Sequence, residues 1–366
     1  MYEKRSASIG CVFAWVNKSD PGRRFILVPK RITMHTLKTI LFYFLLLVST
    51  LLIIGTLLSI PQDVNNRFLK MLDFPRIQFF LSGIICLVIF LIVNKKWNFP
   101  AYALAAGLLF VPIFQAFFIL DYTPVLSVSV PGVEEGDYSE EKTLSLLMAN
   151  VLQSNRESRH FVEQIEKYDP DIVLAMETDA WWQSQIETVA PRYPHRKEVI
   201  NDKAYGMMLY SKYPMQNVEV KYFNNENVPS IHGTIYVADR PVRFHAMHPV
   251  PPTLFEKYPD NAGQKEQAME ILGKMLDEEP RPQLIFGDFN DVAWSNTTEL
   301  LEANAEVNDV RRGRWFYNTF NANSWWRRWP LDHILVSEEF GLKALVRTED
   351  INSDHFPIYA ELVLVK

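Results

Sequence analysis

Several apolar runs in this chain begin or end with an acid, an amide or an imidazole. Asn150 closes LLMAN, Glu177 closes DIVLAME and His248 closes VRFHAMH. Asp288 and Asn290 end QLIFGDFN, Asp332 opens LDHILVS, and Asp354 and His355 precede FPIYAELVLV. A packed core excludes such groups, because burying an unpaired charge is costly. The pattern therefore predicts a cleft shared by the ends of several strands. Asn, Asp and Glu oxygens suit Mg2+, Mn2+ or Ca2+, hard cations that take oxygen ligands. Imidazoles beside carboxylates supply proton-transfer and hydrogen-bonding groups near neutral pH. Together these types predict metal-assisted attack of water on a phosphoester.

Taken singly, each piece is weaker. Gly-Asp-x-Asn is ordinary turn chemistry, and Asp291 reads as a turn residue. His160, His195, His232, His245 and His333 read as structural; His333 follows Asp332 and so faces the other side of its strand. The chain carries no Gly-rich phosphate loop, nucleophile elbow or HExxH.

The elements that must position these residues alternate. LSLLMANV, DIVLAME, AYGMMLYSK, GTIYVA, VRFHAMH, QLIFGD, LDHILVS and PIYAELVLV read as strands. SRHFVEQIEKY spaces Phe161, Ile165 and Tyr168 helically, and Asp169–Pro170 ends it. AGQKEQAMEILGKMLDEE predicts an amphipathic helix with Ala268, Ile271, Leu272 and Met275 on one face. Many strands with few helices predict an α/β or α+β domain, two packed sheets flanked by helices, over residues 144–366.

The front of the chain is different. Residues 39–60, 77–94 and 99–120 are uncharged, apolar and near the ~20 residues that span a bilayer. Pro100 and Pro112 are tolerable in membrane helices. Residues 1–121 carry 13 Lys+Arg against 5 Asp+Glu, whereas residues 122–366 carry 24 against 38. This asymmetry predicts two environments. The acidic back half argues against a broad footprint for duplex DNA. Lys18, Arg23, Arg24, Lys30, Arg31 and Lys38 precede the first span, and Lys95 and Lys96 lie between the second and third. The positive-inside rule makes both stretches cytoplasmic and places residues 122–366 outside. Residues 1–36 read as a cytoplasmic leader, with Met34 an alternative start, residues 37–121 as a membrane domain and residues 122–143 as a linker. The two cysteines, Cys11 and Cys86, both lie in the front, so the back half holds no disulfide or Cys-based zinc site.

As a set, Asn150, Glu177, GDFN (287–290), LDHILVS (331–337) and SDHFP (353–357) resemble the endonuclease/exonuclease/phosphatase superfamily, the DNase I-like fold. His248 in HAMHP and the strand GMMLYSKYP (206–214) are similar to family features as well. The resemblance covers roughly residues 144–366 and implies a four-layer sandwich of two mixed sheets flanked by helices. The front end is similar to that of bacterial membrane-anchored members, which implies the inner membrane with an extracytoplasmic catalytic domain.

The resemblance also implies roles. Glu177 looks like the principal ligand of Mg2+ (or Mn2+ or Ca2+), with Asn150, and Asp354 in the metal or its water shell. His355, paired with Asp332, is either the base or a clamp on the phosphate, and Asp288 is the rival base. Asn290 and His248 hold the phosphate. Many nucleases of the family carry a second acid shortly after the first Asn; here Val-Leu-Gln follows Asn150, with Asn155 beyond.

Asn155, Trp325, Trp326 and Arg327 are candidate substrate-binding residues. The last three lie in RRGRWFYNTFNANSWWRRWP (311–330), which reads either as a grip on anionic substrate or lipid headgroups or as aromatic packing. The expected function is a membrane-anchored, metal-dependent phosphoesterase. The alternatives are an extracytoplasmic nuclease on DNA or RNA and a non-catalytic membrane scaffold. The expected partners are a phosphoester (lipid headgroup, small molecule or nucleic acid) and the bilayer, with no obligate protein partner.

Overall fold

The computed structural model describes residues 34–62, 66–136, 138–251 and 263–366. The leader expected over residues 1–36 lies outside the described residues up to position 33.

Four helices open the described chain: α1 (Met34–Leu58), the short α2 (Arg67–Lys70), α3 (Arg76–Val93) and α4 (Phe99–Ile119). α1, α3 and α4 are long and apolar enough to cross a membrane, with mean hydropathy 2.6, 2.4 and 2.3. α4 starts where the Asn98 side chain accepts a hydrogen bond from Ala101 N at 3.2 Å, a standard N-cap. The helices pack closely because small residues stand at their crossings. A Cβ on Gly83 would lie 2.8 Å from Val111 Cγ1, and one on Gly107 would lie 2.6 Å from Ile53 Cδ1.

The remainder runs β1 (Thr143–Asn150), α5 (Arg159–Tyr168), β2 (Ile172–Met176), α6 (Ala180–Ile186), β3 (His195–Val199), β4 (Met207–Ser211), β5 (Met215–Lys221), β6 (Ser230–Val237), β7 (Arg240–Met247), α7 (Gln264–Glu278), β8 (Gln283–Asp288), α8 (Asn296–Ala305), β9 (Asn308–Asp309), β10 (Asp332–Val336), β11 (Phe340–Arg347) and β12 (Ile358–Leu364). One sheet has the order β11-β12-β1-β2-β4-β3 and the other β5-β6-β7-β8-β10-β9. Each is mixed: β1 and β2 are parallel in the first, β7 and β8 in the second, and the remaining pairs are antiparallel.

Strand alternation builds the layers. Leu144, Leu146 and Met148 of β1 meet Ile231, Phe244, Ala246 and Phe286 between the sheets. Leu147 and Ala149 face the other way, onto Phe161, Ile165 and Trp182 of α5 and α6. Ile285 and Leu335 pack outward on Met269, Leu272, Leu276 and Leu301 of α7 and α8. The result is helix, sheet, sheet, helix, the four-layer sandwich expected. The buried face of α7 is rotated from the one expected: Met269, Leu272 and Leu276 are buried, while Ile271 and Met275 are half-buried.

The elements without a clear sequence signal are β3, β5, β9, β11, α6 and α8. The four strands lie at sheet edges, where burial on fewer sides blurs the alternation of a strand such as HRKEV. The stretch expected as a linker is docked rather than free: Tyr122 and Val130 are buried, and Val133 N donates to Leu342 O of β11 at 3.2 Å.

The apolar helices also pack on the domain. Phe74, Ile77 and Phe80 at the start of α3, with Phe118, Ile119 and Tyr122 at the end of α4, form one apolar cluster with Val292, Ala293, Trp294, Phe320 and Trp329. Trp294 Nε1 donates to Asp73 O at 2.8 Å, and Tyr122 OH donates to Ala293 O at 2.6 Å. Lys70 pairs with Glu266 of α7. On the domain side the cluster begins at Val292, directly after Asp291.

Candidate active site

The two parallel pairs aim their carboxyl ends at one pit. Asn150 ends β1 and Glu177 follows β2, with Asn150 in register with Met176. His248 follows β7 and Asp288 ends β8, with Met247 in register with Gly287. β10 runs antiparallel to β8, so its first residue, Asp332, stands opposite Asp288. β12 runs antiparallel to β1, which brings the residues before it, Asp354 and His355, to the same end. Asp288 N donates to Met176 Sδ at 3.2 Å and ties the two sheets together at the floor.

The turn chemistry at these ends is specific. Glu177 and Asn290 have φ of 61° and 52°, the left-handed region, which turns each chain sharply out of its strand. Gly287 has φ +142°, and a Cβ there would lie 1.9 Å from Met247 O. Only glycine allows β8 to run this close to β7 just before Asp288.

Two linked groups form the pit. In the first, Asn150 Nδ2 donates to Glu177 Oε1 at 2.8 Å and to Asp288 Oδ2 at 3.1 Å. Glu177 is half-buried at the rim. Burial raises the pKa of its carboxyl, and the Asn150 hydrogen bond offsets this only in part. Asp354, also half-buried, adds like charge beside it.

In the second group, His355 Nδ1 bonds Asp332 Oδ2 at 2.8 Å while its Nε2 stands 3.6 Å from Asp288 Oδ2. All three residues are buried. Burial works against charge on His355, but Asp332 and Asp288 outweigh it and hold its pKa at about 10. Burial pushes the Asp288 carboxyl up to about 7, against the pull of His355. The Asp332 carboxyl is lowered, because His355 overcomes its burial. Asp332 thus acts as the fixed counter-charge that keeps the imidazole protonated. His248 Nε2 is 3.9 Å from Asp288 Oδ2; burial lowers its pKa to about 3, so it is neutral.

Second contacts fix these groups. Ser353 Oγ donates to Asn150 O at 2.7 Å and receives His355 N at 3.1 Å, locking the SDH turn onto β1. Asn290 N donates to Asp288 Oδ1 at 2.8 Å, and one Asn290 amide N–H is spent on Pro249 O at 3.0 Å. The Phe320 ring lies 5.0 Å from the His355 ring. Phe320 and Ser353 carried no signal of their own in the sequence, although both lie within segments that the motifs single out.

The structure thus brings together eight of the expected residues: Asn150, Glu177, His248, Asp288, Asn290, Asp332, Asp354 and His355. Four others stand elsewhere. The Asn155 amide donates to Val151 O and Ile351 O at 3.3 and 3.1 Å, so it holds a loop rather than a ligand. Trp325, Trp326 and Arg327 are exposed at the tip of the 311–330 loop. The histidines read as structural include two that pair: His232 and His245 meet Nδ1 to Nδ1 at 2.8 Å. His333 stacks on Phe289 and accepts from buried Arg311. Asp291 does more than turn the chain, since it pairs with Lys265 of α7 at 2.5 Å.

The donor set fits an oxygen-liganded divalent cation. Asp288, Asp332 and His355 bring one ligand atom each within 4.8 Å of one another, but there His355 and Asp332 are bonded to each other at 2.8 Å. Glu177 has an amide and a backbone N–H as partners and Asp354 as a neighbour. Paired carboxylates of this kind, with no Lys or Arg bonded to Glu177 among the described residues, suit a hard cation.

The sequence profile described as "Endonuclease/Exonuclease/phosphatase family" matches residues 146–355, more than half of the chain. This chain belongs to the endonuclease/exonuclease/phosphatase family. Among solved structures it is similar to D. rerio TDP2 complexed with a single-strand DNA product, at 16% identity and TM-score 0.49, over 60% of this chain and 98% of that one. The human Nocturnin catalytic domain with a bound sulfate anion matches at 15% identity and TM-score 0.48, over 60% of this chain and 94% of that one. Sphingomyelinase C from Streptomyces griseocarneus matches at 16% identity and TM-score 0.46, over 60% and 99%. No curated protein matches the chain in sequence. Members of the endonuclease/exonuclease/phosphatase family are phosphoester hydrolases, and the pit has the residue types for that chemistry.

Proposed function

We propose that this family member is a membrane-anchored, divalent-metal-dependent phosphoesterase that hydrolyses a phosphodiester or phosphomonoester with activated water. The observation that carries the reading is the geometry around Asp288. One carboxylate oxygen is shared between Asn150 on the Glu177 side and Nε2 of His355 on the other, at 3.1 and 3.6 Å. A water and a phosphoryl group fit that junction chemically: a carboxylate to take a proton, and a cationic imidazole to bind the oxygen that gains charge.

The roles follow. Asp288 accepts the proton of the attacking water, oriented by Asn150 Nδ2 and Asn290 N. His355, held protonated by Asp332, donates from Nε2 to a non-bridging phosphate oxygen, so it is the clamp rather than the base. Neutral His248 and the remaining amide N–H of Asn290 hold the other phosphate oxygens. Glu177, Asn150 and Asp354 hold the metal, which when bound polarises the phosphoryl oxygens and offsets charge as it develops. Mg2+ suits this oxygen set, as do Mn2+ and Ca2+.

The test is hydrolysis of bis-p-nitrophenyl phosphate by the full chain in detergent. Chelation with EDTA is expected to remove the activity by about 10³-fold, in line with the several kcal/mol that metal stabilisation of charge supplies. Mg2+ or Mn2+ should restore it. Activity that survives chelation, or that no divalent ion restores, refutes the metal-dependent reading.

The domain divides into a membrane part over residues 37–121 and a catalytic part over residues 144–366, joined by the docked segment 122–143. Docking occurs at the start of α3 and the end of α4, which lie on one side of a three-span bundle. With basic residues at the opposite side, that side is extracytoplasmic. A C-terminal alkaline phosphatase fusion is expected to be active; an inactive fusion with a fluorescent cytoplasmic reporter at the same position would reverse the orientation.

A further inference from the structure

We infer that the tip of the 311–330 loop rests in the bilayer interface and that the cleft takes its phosphoester from the headgroup of a membrane lipid rather than from solution. This rests on the phosphoesterase reading above and names its substrate class.

The 311–330 segment touches both the cleft and the membrane span. At the cleft, the Phe320 ring lies 5.0 Å from His355. Ala322 N donates to Asp354 O at 2.7 Å and Phe356 N donates to Thr319 O at 2.9 Å. At the membrane end, Gln78 Nε2 donates to Trp326 O at 2.7 Å, and Trp329 meets Phe74 edge-on at 5.6 Å. Gln78 is the third residue of α3, which has 18 residues. A helix of that length spans about 27 Å at 1.5 Å per residue, close to the ~30 Å hydrocarbon core. α3 therefore has no slack, and its first turn lies at the boundary between headgroups and hydrocarbon. The backbone of Trp326 is bonded to that turn and lies at the same depth.

The chemistry of the tip fits that depth. Trp325 is 86% exposed and Trp326 55%, whereas Trp182 and Trp294 are fully buried. Exposed adjacent indoles are unfavourable in water and favourable in the interface, where ring and N–H each find a suitable environment. The Arg327 guanidinium lies 5.5 Å from the Trp326 ring, and that of Arg328 lies 5.0 Å from the Phe356 ring, next to His355. Two cations on an aromatic tip complement anionic phosphate headgroups. A headgroup drawn to these arginines lies on the same loop that sets the Phe320 ring 5.0 Å from the His355 ring.

The experiment compares the full chain with Trp325→Ala/Trp326→Ala, reconstituted in vesicles. Headgroup release is measured from phosphatidylcholine, phosphatidylglycerol, phosphoinositide and sphingomyelin vesicles, and set against soluble bis-p-nitrophenyl phosphate. The double variant is expected to lose about tenfold or more on the lipid while soluble hydrolysis stays within about twofold, the size of effect that anchoring aromatics carry. Equal losses on both substrates, or no loss on the lipid, overturn the inference. Wild-type activity on the soluble ester with none on any vesicle overturns it too, and leaves the phosphoesterase reading intact. No activity on either kind of substrate refutes the phosphoesterase reading, and with it the lipid substrate. The interfacial placement has its own readout. Brominated lipids should quench wild-type tryptophan fluorescence more than that of Trp325→Phe/Trp326→Phe, and equal fractional quenching overturns the placement whatever the activity.

Discussion

His355→Ala is expected to lower kcat on bis-p-nitrophenyl phosphate by about 10³-fold or more with the fold retained, the scale seen when a donor to developing charge is removed. The reason lies in the Asp332–His355 bond of 2.8 Å. Asp332 holds the imidazole cationic with a pKa of about 10, so at neutral pH it donates to phosphate without first gaining a proton. Asp332→Asn separates this role from mere positioning. The neutral amide can still bond Nδ1, but the counter-charge is gone, and burial then drives the imidazole pKa down toward or below its ordinary 6.5. The sign follows directly. Asp288 must be ionised and His355 protonated, so wild-type activity should rise as the pH passes about 7 and hold until it nears about 10, whereas loss of the imidazolium removes that plateau. The variant should lose activity as the pH rises through the neutral range. A pH–kcat profile in which Asp332→Asn matches wild type from mildly acid to mildly alkaline conditions would rule out the imidazolium clamp. If His355 were instead the base, the variant would gain relative activity as the pH rises, so the two assignments diverge in direction.

Glu177→Gln carries the second large effect. Gln keeps the volume and an oxygen for the Asn150 amide, but it removes the charge that a hard cation binds. Activity at saturating Mg2+ is expected to fall by about 10³-fold, or several kcal/mol of lost charge stabilisation. Stability should move the opposite way in metal-free protein. Burial raises the Glu177 pKa above its ordinary value, so the folded state disfavours the carboxylate. A carboxyl with a raised folded pKa costs stability as the pH climbs past its unfolded value, which Gln avoids. The variant should therefore melt no lower than wild type without metal. Mg2+ should raise the wild-type melting temperature, by about 2.7 kcal/mol of stabilisation at a hundredfold excess over Kd, and leave the variant unmoved. A Mg2+-induced shift of equal size in both proteins would place the metal elsewhere, on the Asp288–Asp332–His355 side.

Much of the site was legible in the sequence because strand ends are short-range features. An apolar run that stops at an acid or imidazole, as in QLIFGD or DIVLAME, announces a strand and a polar edge together. Asn150, Glu177, Asp288 and His355 could be grouped before any coordinates. One candidate instead makes a contact distant in sequence. Asn155 reads from the sequence as a substrate-binding candidate, yet its amide donates to Ile351 O, almost two hundred positions away. β3, β5 and β11 escaped notice because they are edge strands, packed on fewer sides, so their burial does not alternate cleanly.

By itself, the sequence determined that three apolar spans precede an acidic domain of two packed sheets, and that the polar strand ends carry groups for phosphoester chemistry. Hydrophobic length and periodicity encode these locally, residue by residue. The family resemblance implied the Asp332–His355 pair, which the structure shows at 2.8 Å; only the tertiary structure decided that Asp288 sits between that pair and Glu177, and that Trp326 is bonded to Gln78 of α3. Those are relations between segments far apart in the chain. They depend on sheet register and on how the helices dock, and the same residues in any other register would meet different partners and carry different charges.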